Sequence, residues 1–595
     1  HPSMLWLLVG GLVGVACSVE GCHAQVEKLA DIPHLLSNTA NHVNASSDFH
    51  LCFEPGRTYF LEGQSLVLKS AHNHAGGRVI WKTAPSVSSE ATAPALITGG
   101  APLNKWYKCN EQGRCPGWEG VWVHYMSDIP NITASVLPVR QLWVNGSRVD
   151  RVAVPGSSLG WATTSQGYSA PSPAPKSYAT DKVELRWPRV IRNWIEPRCV
   201  VTAVDGPNIT IDPQCWKELT ARNNGKLPPV PSFVENIGGP PGAGQFVADD
   251  LYLFYRPPTP TSVPPVNAFV PIQEQLLIAK DLAKHSFQNL KFAHATWRIA
   301  TSAGGYVPSQ TLVSNAGEPF GAVQLDSSTD IEFTGCTFEN MGGAYALSVG
   351  KASQRVNIMS NKFFDLSGGA VKLGNVLNDT RALSTDPKEW DVSYTLSSNL
   401  MSSVAVEFHG GACVFAGYVA KTNISHNTIQ NTGYTGISLG WGWGSHVKGP
   451  QTFAADNHII GNRLEGVMSV LNDGGCTYTL GPQPRSTVTN NFCSSDKAPV
   501  VGCFYHDNGS RYFTTKFNVC TTSPAPCVYL QGCCNSPAYD IAVSELWCRD
   551  TAPVRNGCAA ENCTIDNSTL YTLKAGEPWP KTAQQIVDNS GVYTL

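Results

Sequence analysis

Two aspartates stand in glycine-rich turns late in the chain, in Leu471-Asn-Asp473-Gly-Gly and in Tyr505-His506-Asp507-Asn-Gly-Ser, 34 residues apart. Two carboxyl groups facing each other across a groove are what glycosidic cleavage requires. One protonates the leaving oxygen, and the other attacks the anomeric carbon or activates water. Asp before Gly is equally a common turn residue, so position alone does not separate a catalytic pair from two corners. Tyr478, Tyr505 and His506 put hydroxyl and imidazole groups beside the pair, where an acid needs its pKa tuned.

Gly440-Trp441-Gly-Trp443-Gly is a second constellation. Tryptophans framed by glycine suit a sugar-stacking platform better than a buried strand, although one could pack beneath a loop. Counted from Asn427 and Asn491 respectively, Trp443 and Asp507 fall at the same offset of 16, which predicts projection from one edge. In Val406-Glu407-Phe-His409, alternation puts Glu407 and His409 on one side. They join His426 as candidate groove-lining groups, with a satisfied polar ladder as the other reading. The chain holds no Gly-x-Ser-x-Gly elbow, P-loop, His-Glu-x-x-His or dinucleotide fingerprint, and nothing in it calls for a cofactor.

The elements that must position these groups show as a repeat. Asparagine corners before short apolar strands recur at Asn361, Asn427, Asn462, Asn491 and Asn518, the last four spaced 35, 29 and 27 residues apart. Unequal periods of this size suit solenoid coils that carry loops of varying length. The fold class expected is all-β, a right-handed parallel β-helix with an inserted β-sandwich. The expected organisation is a signal peptide at 1–24, first coils at 25–101, an insert with a proline-rich linker at 102–265, the main helix at 266–550 and a Cys-rich cap and tail at 551–595. Within the main helix, 380–399 breaks the rhythm and reads as a surface loop.

A net charge of −3 over 595 residues leaves no basic excess for nucleic acid. The apolar stretch Leu5–Ala16 is shorter than a membrane span and reads as a secretory signal cut after Ala24. Sequons at Asn44, Asn131, Asn145, Asn208, Asn378, Asn423, Asn508, Asn562 and Asn567 agree with a secreted, extracellular protein. The 19 cysteines crowd after residue 476, as disulfides pinning loops would, and they show no paired finger spacing for a metal.

Several motifs resemble glycoside hydrolase family 141. They are Leu142-Trp-Val-Asn-Gly-Ser-Arg148, Ile424-Ser-His-Asn-Thr-Ile, Tyr434-Thr-Gly-Ile-Ser-Leu-Gly-Trp-Gly-Trp443 and Leu471-Asn-Asp-Gly-Gly-Cys-Thr-Tyr-Thr-Leu-Gly-Pro-Gln-Pro484. The resemblance implies hydrolysis of fucoside- or xylan-type glycans with Asp473 and Asp507 as the catalytic carboxyls. Cys476 and Arg485 depart from the family pattern, and a used sequon at Asn508 would set a glycan against Asp507. A polysaccharide lyase or epimerase and a non-catalytic glycan-binding protein remain as other readings of the same scaffold.

Overall fold

The computed structural model describes residues 21–592. Excepted are 40–46, 86–92, 378–379, 444–450, 496–500, 522–524, 533–535 and 559–561, and the single positions 114, 116, 181, 303 and 315. The chain winds as a parallel β-helix. One parallel sheet of 11 strands runs from Leu66–Leu68 to Val554–Asn556, and a second, of 23 strands, carries the other faces of the coils. Short strands rich in Val, Ile, Phe and Thr are enough here, because each pairs with the coil above and the coil below, and the alternate residues close on a dry interior.

Like stacks on like in that interior. Phe287 lies on Phe333 with ring centroids 4.7 Å apart, and Phe338 lies on Phe363 at 4.8 Å. Each fully buried Phe contributes roughly 1.5–3 kcal/mol.

The asparagine corners form a buried hydrogen-bonded ladder. Side-chain amides pass from Asn361 to Asn399, Asn427, Asn462, Asn491 and Asn518 at 2.9–3.1 Å, and each acceptor oxygen also takes a backbone N–H of the preceding corner. Asparagine fits because its amide both donates and accepts, so every rung is satisfied from its neighbours. Asn399 belongs to this ladder, and Val392–Ser397 is a regular coil strand. The loop expected at 380–399 is therefore confined to the residues before Val392. The long excursion after Leu373 hides the period there.

Cysteine continues the pattern. Cys493, Cys520 and Cys548 are in register on successive coils and bond across the interior to Cys476, Cys503 and Cys527. Cys413 occupies the matching place two coils before Cys476 and is a free thiol, its sulfur 3.4 Å from Met401 Sδ.

Three expected boundaries move. Cys22 is bonded to Cys52 and Ala24–Gln25 pairs with Leu51–Cys52, so a cut after Ala24 would remove a cysteine that the first coil uses. Residues 1–20 lie outside the described residues. The solenoid also continues past 550, through Leu570–Leu573 paired on Leu546–Arg549. The last segment is not a polar tail: helix Lys581–Asn589 folds back and buries Ala583 and Ile586 in an apolar cluster with Phe492, Val519 and Trp547.

The insert leaves and rejoins the helix through Gly100–Pro102 and Ala268–Pro271, which pair antiparallel in an eight-stranded sheet. A seven-stranded sheet follows, and each sheet has its own apolar cluster, one around Trp122, Leu142 and Val270, the other around Trp187, Trp216 and Val234. Five of the expected sequons stand exposed, at Asn131, Asn145, Asn208, Asn562 and Asn567; Asn423 and Asn508 are half-buried, and Asn44 and Asn378 lie outside the described residues.

Candidate active site

The 11-stranded sheet builds the site. On its outer face Tyr478, Tyr505 and Tyr529 fall in register on strands Thr477–Thr479, Phe504–His506 and Val528–Leu530. Their rings pack at 5.2 and 5.0 Å between centroids, with Trp443 against the cluster. Asp473 lies in the turn entering the first of these strands, and Asp507 follows the end of the second. Disulfides Cys476–Cys493 and Cys503–Cys520 anchor those two strands to the opposite wall, which accounts for the cysteine crowding.

A single phenol joins the two carboxyls. The Tyr505 hydroxyl is 2.9 Å from Asp507 Oδ1 and 3.3 Å from Asp473 Oδ1, so those two oxygens are at most 6.2 Å apart, the sum of the two legs. The Tyr478 hydroxyl donates to Asp507 Oδ2 at 2.5 Å, and Gln531 Nε2 donates to the Tyr505 oxygen at 3.1 Å. Gln531 is itself oriented by Tyr529, whose hydroxyl donates to its amide oxygen at 2.8 Å.

Counting protons separates the carboxyls. Tyr505 has one hydroxyl hydrogen and two lone pairs. When the hydrogen is given to Asp507 and one lone pair taken by Gln531, the contact with Asp473 is a hydrogen bond only if Asp473 carries a proton. Burial and the charge on Asp507 push the Asp473 carboxyl up to about 6. Burial also raises Asp507, against the pull of the Tyr478 hydroxyl, the Asn508 backbone N–H and the Tyr505 hydroxyl, all of which favour its ionised form. Below about pH 6 the pair therefore holds one proton, and hydrogen bonding seats it on Asp473.

Asp473 has φ 61°, in the left-handed region. Asp tolerates that conformation better than most residues, and here it turns the side chain toward the tyrosines. Tyr434 fixes the same turn by donating to the Asp473 carbonyl at 2.9 Å, and Asn472 N–H donates to Asn193 O of the insert at 2.9 Å. Neither Tyr529 nor Gln531 stood out in the sequence. The recurring aromatic at one register position was the signal that could have found Tyr529.

Other expected site residues lie elsewhere. His506 alternates inward, between Thr479 and Thr515 hydroxyls at 2.8 and 2.7 Å, and burial lowers its pKa to about 3, so it is a neutral structural group. His426 lies against the C-terminal helix, its Nδ1 3.2 Å from Asn589 O. Trp441 is buried against Phe415, whereas Trp443 stays partly exposed. Glu407 and His409 do share a side, but it faces the insert. Glu407 accepts from Arg140 and Gln141 at 2.8 Å, and His409 Nδ1 is 2.6 Å from Glu196. These partners come from a domain whose docking the local alternation does not encode.

No family profile matches the chain, and no curated protein matches it in sequence. Among solved structures, one described as a glycoside hydrolase is similar over 95% of this chain and 94% of its own, with TM-score 0.67 and 18% identity. The likeness is one of fold. A complex of XylC with xylose (TM-score 0.46, 10% identity, 91% and 83% covered) and a lacto-N-biosidase of Eubacterium ramulus (TM-score 0.43, 8% identity, 93% and 68% covered) are more distant. The described residues contain no helix long and apolar enough to cross a membrane. The three cysteine sulfurs Cys476, Cys493 and Cys503 that come within 4.8 Å of one another are already committed to disulfides.

Proposed function

We propose that this protein is a glycoside hydrolase acting by retention, with Asp473 as acid and then base and Asp507 as nucleophile. The observation that carries the reading is the phenol shared by the buried Asp507 carboxyl and the half-buried Asp473 carboxyl. Their bridged oxygens, at most 6.2 Å apart, fall short of the roughly 6.5–9.5 Å that leaves room for an attacking water, which favours a pair that forms a covalent intermediate.

In the first step Asp473 gives its proton to the glycosidic oxygen while ionised Asp507 attacks the anomeric carbon. In the second, Asp473, now a base, takes a proton from water as the water oxygen bonds to the anomeric carbon and Asp507 leaves as the carboxylate. Tyr478 and Tyr505 hold Asp507 in place and favour its charge before attack and after release. Trp443 offers an aromatic face to a sugar ring beside them.

A fucoside- or xylan-type substrate rests on the motif resemblance to glycoside hydrolase family 141. A lyase would need a cation to neutralise a uronate at the reacting carbon. Arg485 and Arg511, the nearest in sequence, are paired with Asp456 and Asp540 at 2.6 and 2.8 Å. Secretion agrees with seven disulfides among the described residues.

The test is reducing-sugar release from fucosides, xylans and acidic glycans by the wild type, Asp473→Asn and Asp507→Asn. Turnover in the wild type that both substitutions abolish supports the reading. Turnover that survives either one refutes the assignment.

A further inference from the structure

A cavity of about 320 Å³ lies where the insert meets the helix, lined among others by Arg148, Arg151, Arg186, Phe246 and His409. Five arginines there meet five buried or half-buried carboxylates, and the pairing is uneven. Glu184 accepts from Arg140 and Arg198, Glu196 from Arg198 and faces His409, and Glu407 is taken by Arg140, Gln141 and Ser367. Asp365 accepts from Arg148 and Trp143, and Glu235 pairs with Arg186 and Arg198. Each oxygen of these five has a donor within 3.1 Å, and the other carboxylate of the lining, Asp150, is exposed to solvent.

Arg151 is the remainder. Its side chain is 10% exposed and its Nε has no hydrogen-bond partner; its one hydrogen bond to a carboxylate is a long one, from Nη2 to Glu184 at 3.5 Å, with Glu235 at 3.8 Å, and both of these are held more closely by other arginines. Arg186 Nε likewise lacks an aligned acceptor, although Glu235 lies 2.9 Å away. Among the buried groups of the cavity, therefore, guanidinium Nε donors are unspent while the acceptors are taken, and the one free carboxylate of the lining, Asp150, is solvent-exposed. A neutral sugar needs both kinds of partner; an acidic one supplies what these guanidiniums lack. Burial lowers the Arg151 pKa, as expected for a cation short of compensating charge.

The cavity also lies in line with the carboxyl pair. Glu407 and His409 precede strand Val414–Ala416, Asp473 precedes Thr477–Thr479, and the strand Ile437–Leu439 separates the two. Two coil spacings put the cavity roughly 10 Å along the stack from Asp473. The insert bridges that span through the Asn193 contact to Asn472.

We propose that this cavity is a subsite for an anionic sugar unit, its carboxylate or sulfate ester received by Arg151 and Arg186, on the same glycan that is cleaved at Asp473 and Asp507. The proposal rests on the hydrolase reading for its orientation but not for its binding, and the two are separable by experiment. Full-length Asp473→Asn protein is titrated calorimetrically with a neutral xylotriose, a trigalacturonate and an O-sulfated neutral trisaccharide. The comparison is repeated with Arg151→Gln added, and with Ala153→Phe added to fill the cavity without touching its charges.

At least one acidic ligand is expected to bind tenfold or more tightly than xylotriose. That preference disappears in both added variants and weakens with salt. Which acidic ligand binds distinguishes uronate from sulfate ester. Equal binding of acidic and neutral ligands, or an acidic preference that survives either added variant, overturns the subsite. Arg151-dependent binding by a protein whose wild type cleaves none of the glycans would keep the subsite and remove the hydrolase.

Discussion

Asp473 and Asp507 come from turns at opposite ends of adjacent coil strands, yet both touch the one hydroxyl of Tyr505, at 3.3 and 2.9 Å. The sheet register that stacks Tyr478, Tyr505 and Tyr529 thus also sets the spacing and the protonation of the pair.

Tyr505→Phe removes this bridge while keeping the ring stacks. Loss of a preorganised donor to a charged catalytic group typically lowers kcat by about 10²–10³, and that is the expected fall, with KM little changed. The acidic limb of the kcat/KM profile moves to higher pH, because Asp507 loses a donor that favours its ionised form. A variant with wild-type kcat would remove Tyr505 from the mechanism.

The pH dependence has a definite sign. With Asp473 raised to about 6, activity is lost as pH rises through that value, because the acid is then deprotonated. Folding follows the same proton. Between the unfolded carboxyl pKa near 4 and the folded value of about 6, the folded state binds more protons than the unfolded, so stability from this group falls as pH rises through that window. Asp473→Asn is therefore expected to stabilise the fold by roughly 1–3 kcal/mol at pH 7 and by little at pH 4. Denaturant titrations at the two pH values check it, and equal gains at both would contradict the buried-acid assignment.

The ladder makes a separate structural prediction. Asn462 accepts from Asn427 and donates to Ile424 O and Asn491, so Asn462→Leu leaves neighbouring buried groups unsatisfied. A loss of about 3 kcal/mol is expected from urea unfolding. The same substitution at exposed Asn567 is expected to change stability by less than about 0.5 kcal/mol.

Peptide mapping of the protein expressed in eukaryotic cells tests the two ends of the site argument. The Cys22–Cys52 bond requires a mature chain that retains Cys22, so the N-terminal peptide should begin before that residue. Asn508 has its side-chain oxygen buried and its backbone N–H on Asp507, and it should be found without glycan. A glycosylated Asn508 in active protein would contradict the geometry of the Asp507 turn.

Much of the fold was legible because its cause is local and repeated. Each asparagine corner meets the next through the same two hydrogen bonds, so the residue type recurs visibly wherever loops do not interrupt it. Asn399 escaped because the excursion before it stretches the period, and the Lys581–Asn589 helix because its apolar residues are few and polar ones surround them. The meeting of Asp473, Asp507, Tyr478 and Tyr505 was readable from the glycine-rich turns and from the tyrosines' nearness to the two aspartates in sequence. His506 and His426 were not, since a one-residue alternation sends the first inward and a distant C-terminal helix covers the second. Glu407 and His409 show the limit most clearly. Alternation places them on one side, but only the docking of the insert decides that this side is a buried charge cluster.

The most direct test of the carboxyl pair is the anomeric configuration of the sugar first released from the best substrate, followed by NMR for the wild type and for Asp507→Asn. The account predicts product of the same configuration as the substrate and no product from the variant. Inverted product, or turnover that persists without the Asp507 carboxylate, would contradict it.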